Sequence, residues 1–236
     1  MKELKPEQIE HLFAFTRKHF VEYYDLQLEL VDHLASGIQA QWETDPELPF
    51  EKALQAEFKK FGVFGFADVI GKRQKAMNKR YWGIIWKFVR EWFIPFKLFL
   101  TVLLFVLFYQ LLSSDYGELF FEITAILIVA LTLGGFFYNY RKFKRQGGGK
   151  RKKWMLEEII FNTGGFVSYS ILPVQIFHFL ANDNTALFAN SWSLGLASFT
   201  LVILLLLAYI IFLHIPKRAE ELLMETYPEY KLSKMM

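Results

Sequence analysis

Ile9, Leu12, Phe13, Thr16 and Phe20 follow Pro6 at the three- and four-residue intervals of one helix face, and Pro6 suits a helix's first turn. Leu26, Leu30, Leu34 and Ile38 recur every four residues, with Tyr23 and Val31 widening the same face, so a second helix follows. After the break "TDPELP", Phe50, Ala53, Leu54, Phe58 and Phe61 mark a third helix closed by Gly62, and a fourth over about 65–80 leads onward. Short amphipathic helices bury their stripes against one another, which predicts a small N-terminal helical bundle over 1–78.

Further along, the pattern changes from stripes to uninterrupted apolar runs. A bilayer core about 30 Å thick needs about 20 apolar helical residues. Four segments reach that length: "WFIPFKLFLTVLLFVLFYQLL" (92–112), "LFFEITAILIVALTLGGFFYNY" (119–140), "LEEIIFNTGGFVSYSILPVQIFHFLA" (156–181) and "WSLGLASFTLVILLLLAYIIFLH" (192–214). The third carries Asn162, Thr163, Pro173, Gln175 and His178, so a re-entrant or interfacial helix is its alternative reading. The predicted fold is all-α, a polytopic membrane protein with four transmembrane helices over 92–214 and an N-terminal cytoplasmic bundle. A basic juxtamembrane linker (79–91) joins the two. A cytoplasmic tail (215–236) follows, in which Leu222, Leu223 and Tyr227 read as a short interfacial helix.

Composition explains why the runs are segregated. With 53% hydrophobic residues and 26 Phe among 236, yet 22% charged, the chain is too apolar for an ordinary soluble domain unless the two kinds are kept apart. Residues 1–91 hold fourteen Lys/Arg and fourteen Asp/Glu, whereas the apolar runs lie beyond them. The stretch "MKELKPEQIEHLF" has charges throughout and no apolar core, unlike a cleavable signal peptide.

Charge then sets the expected orientation. The loops "SSDYGE" (113–118) and "NDNTALFANS" (182–191) have no Lys or Arg. The middle loop has Arg141, Lys142, Lys144, Arg145, Lys150, Arg151, Lys152 and Lys153, and Lys217 and Arg218 follow the last run. Carrying one such charge through a membrane centre costs roughly 2.5–3.5 kcal/mol, so the basic flanks stay cytoplasmic and both termini with them. The eight bases are topology signals first and lipid-headgroup ligands second. Nucleic acid is not expected, because no recognition motif accompanies the charge.

Within the head the balance shifts: 1–60 has seven Lys/Arg against twelve Asp/Glu, and 61–91 has seven against two. The basic part should lie on the membrane and the acidic part away from it. The runs "YYDLQLELVDHLASGIQ" and "LPFEKALQAEFKKFG" resemble the HAAS or permease-prefix type of small helical domain. The matching positions are Tyr24, Glu29, Leu30, His33, Leu34, Glu51, Ala53, Phe61 and Gly62, within about 20–70. The linker "ETDPELP" departs from that family's short turn. The resemblance implies a bacterial membrane protein of signalling or regulatory type, since such domains commonly precede several spans and are often associated with PadR-type transcriptional regulators.

Candidate chemistry is sparse. The chain has no Cys, which excludes disulfides, thiolate catalysis and Cys-ligated metal. Phosphate-loop, nucleophilic-serine and zinc-protease patterns are also missing. Glu29 and His33 are one helical turn apart with Asp32 beside them. Without a second His or a third ligand they read as a hydrogen-bonded boundary pair, not a metal site, and form the candidate partner face of the head. On the third run, Gly164, Ser168, Gln175 and His178 fall within one stripe about 80° wide. Gly164 and Ser168, like Ser191 and Gly195, are small residues at packing spacing. Close helix packing is one reading of the stripe, and a polar site of Gln175, His178, Glu122 and Ser168 is the other, with Glu122 and His178 as a proton-sensitive couple. Lys97, Glu157 and Glu158 could pair at the inner surface.

The expectation is a non-enzymatic protein of the bacterial cytoplasmic membrane, regulatory, sensory or scaffolding, without cofactor or metal. Its partners would be membrane lipids, a protein bound by the head and further copies of itself. A small transporter or its accessory subunit is the alternative, and a membrane-embedded transferase ranks behind both.

Overall fold

The computed structural model describes residues 3–146, 152–162, 171, 175 and 190–235. Among these the chain is helical, with one isolated bridge and no strand, and three helices are long and apolar enough to cross a membrane. It divides into two compact units, Met1–Arg80 with Gly147–Glu158, and Tyr81–Gln146 with Ile159–Met236.

The first unit is built on α1 (Pro6–Lys18), α2 (Tyr24–Thr44), α3 (Phe50–Lys59) and the first half of α4 (Ala67–Trp92). Pro6 sits in the first turn of α1, where Gln8 reaches back to accept the Lys5 main-chain N–H at 2.9 Å. On α2 the four-residue series buries Leu26, Leu30, Leu34 and Ile38 at 2% exposure or less, with Leu12 from α1 and Ala53 and Leu54 from α3 equally buried. Each such aliphatic side chain withdrawn from water contributes roughly 1.5–3 kcal/mol, so this stripe holds the unit. The Trp42 indole N–H donates to the Leu48 carbonyl at 2.8 Å and fixes the turn before Pro49, the N-cap residue of α3. Phe15, His19, Phe58, Phe61 and Phe66 form an aromatic cluster, with ring centres 4.2–5.0 Å apart along the chain of contacts Phe15–His19, His19–Phe58, Phe58–Phe66 and Phe61–Phe66.

In the second unit, α5 (Pro95–Leu112), α6 (Gly117–Gln146) and α8 (Ser191–Tyr209) pack around Phe108, Leu112, Phe121, Ile128, Leu194, Leu201 and Val202. Their other faces expose Phe96, Phe99, Leu103, Ile126 and Leu196, among others. Such an apolar surface is unfavourable in water and suits lipid. The helix α8 runs on through a π-helical turn, Ile210–His214, into Ile215–Lys217. It is followed by α9 (Ala219–Thr226) and α10 (Pro228–Met235).

Three boundaries differ from those the pattern predicts. The fourth helix does not end near 80 but continues to Trp92; it stops there because Ile94, ahead of Pro95, must be extended. Trp92 therefore closes α4, and the first apolar run starts at Pro95. Leu156, Glu157 and Glu158, expected to open the third run, belong to the first unit, and α7 (Met155–Phe161) begins inside it. The tail forms a short helix as expected, and Leu222, Leu223 and Tyr227 are 4%, 1% and 3% exposed within the second unit.

Candidate functional site

The most elaborate polar site among the described residues joins the start of α2 to residues 152–158, beyond the basic loop. The Tyr24 main-chain N–H donates to the Lys153 carbonyl at 2.7 Å, and Tyr23 and Lys153 form a parallel bridge. The N–H groups that open a helix have no partner inside it, so a passing carbonyl is a natural one. The Met155 N–H in turn donates to Asp25 Oδ1 at 3.2 Å, which caps the beginning of α7.

Side chains fix the register of this clasp. Lys153 Nζ lies 2.7 Å from Glu22 Oε2, and Lys152 Nζ stands 4.0 Å from the centre of the Tyr24 ring. The Trp154 indole meets the same ring edge-on at 5.5 Å, while Phe13 of α1 stacks on it at 6.1 Å. The Lys153–Glu22 pair is more than half exposed on both sides, and such pairs contribute about 0–1 kcal/mol. Trp154, Met155 and Leu156 are 2%, 1% and 0% exposed, and at roughly 1.5–3 kcal/mol each their burial dominates. The charges thus choose the register and the apolar triplet holds it.

The interior of the clasp is acidic. Asp25 is buried, with Arg73 Nε 4.0 Å from Oδ2, and Arg73 Nη1 lies 3.4 Å from Glu29 Oε2. The Tyr23 hydroxyl donates to the Glu158 carboxylate; burial, and then the negative charges of Glu158 and Glu22, push its pKa up to about 12. The hydrogen bond to Glu22 raises that of Lys153 against a smaller opposing effect of burial.

A second polar feature lies within the packed helices of the other unit. Pro216 has no N–H to give the Phe212 carbonyl its usual bond from four residues on, and Asn139 Nδ2 of α6 donates to that carbonyl at 3.0 Å. Gly135, one turn earlier on α6, lies so close to Phe212 that a Cβ there would collide with it. The π-helical turn is therefore built against a matched Gly135/Asn139 face.

The residues singled out by sequence are dispersed. Glu29 pairs with Arg73, at 3.4 Å, instead of His33, whose ring meets Phe61 edge-on at 5.5 Å. Asp32 and His33 stay exposed on α2. Among the described residues no group of three or more His, Asp or Glu is placed to hold a metal ion. Glu122 is exposed on α6, and Gln175 is helical and exposed. Ser168 and His178 lie outside the described residues, as do Lys150 and Arg151. Arg141, Lys142, Lys144 and Arg145 occupy the end of α6, with Lys142 Nζ 5.9 Å from the Phe161 ring centre. Lys97 sits over the Trp92 indole at 5.1 Å in the second unit, while Glu158 serves Tyr23 in the first.

Comparison with protein-family models, curated proteins and solved structures found no match to this chain. The sequence pattern alone does not show the clasp, because Lys152 and Lys153 read as part of a loop's charge. "KKWMLEE" did hold a signal: an apolar triplet between bases and acids, beside a helix beginning with Tyr-Tyr-Asp.

Proposed function

We propose that this chain is a non-enzymatic membrane protein of regulatory or scaffolding type, in which a cytoplasmic head reports the state of the membrane helices to a protein partner. The clasp is the observation that carries this reading. It ties the head to residues 152–158, which follow α6 in the chain, and this supports a route by which α2 responds to the membrane segments. The head's Tyr23, Tyr24, Asp25 and Glu22 are engaged in that hold, which leaves the exposed Asp32 and His33 side of α2 for a partner. The resemblance of residues 20–70 to HAAS-type heads supports a bacterial cytoplasmic-membrane setting and a regulatory role.

The same contact supports a four-span arrangement. Residues 152–158 and the head share one unit and hence one side, which requires α5 and α6 to cross and return. Lys217 and Arg218 after the last apolar helix favour that same side, in keeping with the four-span count expected from the sequence. Both termini are then cytoplasmic and the 1–78 bundle is too.

The test is photocrosslinking in intact cells from position 32 or 33 of the full chain, with the clasp intact and with Lys153→Glu plus Trp154→Ala. Capture of one defined protein whose yield changes severalfold when the clasp is opened is the expected result. Identical capture in both forms would remove the reporting role. Cysteine substitutions at 32, 114 and 231 locate the termini: a membrane-impermeant maleimide should reach only 114 from outside.

A further inference from the structure

Three large apolar side chains of the first unit stand in the open: Phe20 at 86% exposure, Val63 at 98% and Phe64 at 72%. They flank one feature. His19, next to Phe20, lies 4.5 Å from the Phe58 ring and 5.9 Å from Phe66, and Phe61 lies 4.8 Å from Phe66. The α1–α2 junction and the α3–α4 turn are thus joined at one end of the unit by the aromatic cluster beneath them.

The backbone holds these side chains out. Gly62 and Gly65, at φ +80° and +53°, bracket Val63 and Phe64, with Gly62 N–H bonded to Lys59 O at 3.1 Å and Gly65 N–H to Gly62 O at 3.2 Å. Phe20 itself has φ +63°, a conformation costly for a bulky non-glycine residue. The turn itself caps α1, with the Phe20 N–H donating to the Arg17 carbonyl and the Val21 N–H to the Thr16 carbonyl, both at 3.1 Å. Glycine would serve that cap at lower backbone cost, so the exposed phenyl ring, not the turn, is the feature that folding leaves unexplained.

The surroundings are basic. Arg17, Lys18, Lys59 and Lys60 are exposed around the cluster. Of the nearby acids, Glu57 is taken by Lys60 at 2.6 Å and Glu22 by Lys153 at 2.7 Å, while Asp68 is exposed in the first turn of α4.

We propose that this end of the head is a membrane-docking tip: Phe20, Val63 and Phe64 enter the interfacial layer of an anionic bilayer, with Arg17, Lys18 and Lys59 among its phosphates. An apolar wedge rimmed by cations matches a bilayer surface, apolar beneath and negative above. Two Phe and one Val supply at most roughly 600 Å², below the roughly 800 Å² per partner of a stable protein interface. A tethered lipid contact needs no such area. The proposal rests on the membrane reading above, since the apolar helices of the same chain keep the head at high local concentration beside lipid. It does not depend on the clasp.

The absence of cysteine makes the test direct. The full chain carrying a nitroxide on Val63→Cys is placed in nanodiscs of phosphatidylglycerol and phosphatidylethanolamine, or of phosphatidylcholine alone, and collisions with oxygen and a water-soluble nickel chelate are compared. The expected result is a severalfold fall in nickel access in the anionic discs only, reversed by Lys18→Glu with Lys59→Glu. A label on Asp32→Cys should stay water-exposed in both. Phe20→Gly should weaken the protection without lowering the unfolding temperature, which separates lipid contact from folding. Equal nickel access in both lipids overturns the proposal. Protection that grows with protein concentration at fixed lipid overturns it in favour of a second copy. A chain extracted from membranes by alkaline carbonate fails the membrane reading itself, whereas an integrated chain with a water-exposed label fails only the tip.

Discussion

The carboxylate of Asp25 accepts a hydrogen bond from the main-chain N–H of Met155, 130 residues later in the chain, at 3.2 Å. Asp25 is buried, and Arg73 approaches its other oxygen. Removing one member of a buried pair leaves its partner uncompensated, which typically costs 3–5 kcal/mol. Arg73 is about a third exposed and keeps Glu29, so the expected loss for Asp25→Ala is smaller, about 2 kcal/mol. Asp25→Asn retains an acceptor for Met155 and should lose about half as much. Thermal unfolding of the detergent-solubilised full chain ranks the two, and an Asp25→Ala variant as stable as the parent would show that the clasp does not depend on this cap.

The clasp should loosen in alkali. Tyr23 has a folded-state pKa pushed up to about 12 from 10.0, so it favours the folded state fully below pH 10, and that contribution is lost as pH rises towards 12. Lys153, also raised, acts in the same direction: its pairing with Glu22 persists below the ordinary lysine range and disappears above it. Trp154 fluorescence, followed against pH in a variant whose other tryptophans are replaced, should report exposure between about pH 10 and 12 and none near neutrality. Tyr23→Phe, which has no hydroxyl to ionise or donate, should lose about 1 kcal/mol at neutral pH and show a smaller alkaline step. A transition near pH 6 would point to a different switch.

Gly37→Ala separates local propensity from packing. Alanine is the better helix former by about 1 kcal/mol, and position 37 lies well inside α2. A Cβ at that position would collide with the buried Glu57 carboxylate, which Gln41 and Lys60 hold in place. Overpacking of this kind costs about 1–3 kcal/mol, so the variant should be destabilised by about 1–2 kcal/mol despite its propensity. A rise in unfolding temperature would mean that Glu57 swings aside.

In the apolar unit, Asn139→Leu should cost about 1 kcal/mol, within the 0.6–1.7 range of hydrogen bonds between membrane helices. Gly135→Ala should cost more, because its new methyl group must displace Phe212 against a fully formed turn. Unfolding in a lipid-matched detergent distinguishes them. The reverse order would mean that the carbonyl of Phe212 depends on the side-chain donor more than the helices depend on close contact.

The apolar stripes of α2 and α3 were legible because burial follows the helical period: Leu26, Leu30, Leu34 and Leu54 face inward as their spacing requires. Three of the long apolar runs likewise appear as helices long enough to span a bilayer. The candidate polar residues were less legible. Glu29 and His33 share a helix, but Arg73, 44 positions beyond Glu29, carries the stronger charge and takes the carboxylate. The clasp and the Asn139–Phe212 bond join residues 130 and 73 positions apart, and no local period records such a meeting. Lys152 and Lys153 illustrate the difficulty: eight like charges suggest a loop facing lipid, while the deciding energy lies in the apolar Trp154, Met155 and Leu156 that follow.

The hold of the head on residues 152–158 is tested most directly by a disulfide. Tyr23 and Lys153 face each other in a parallel bridge, and the chain has no other cysteine to confuse the outcome. The full chain with Tyr23→Cys and Lys153→Cys, oxidised mildly in native membranes, should form an intramolecular crosslink in most molecules, whereas Asp32→Cys with Lys153→Cys should not. Crosslinking of the first pair no greater than that of the second would contradict the clasp and the reporting role built on it.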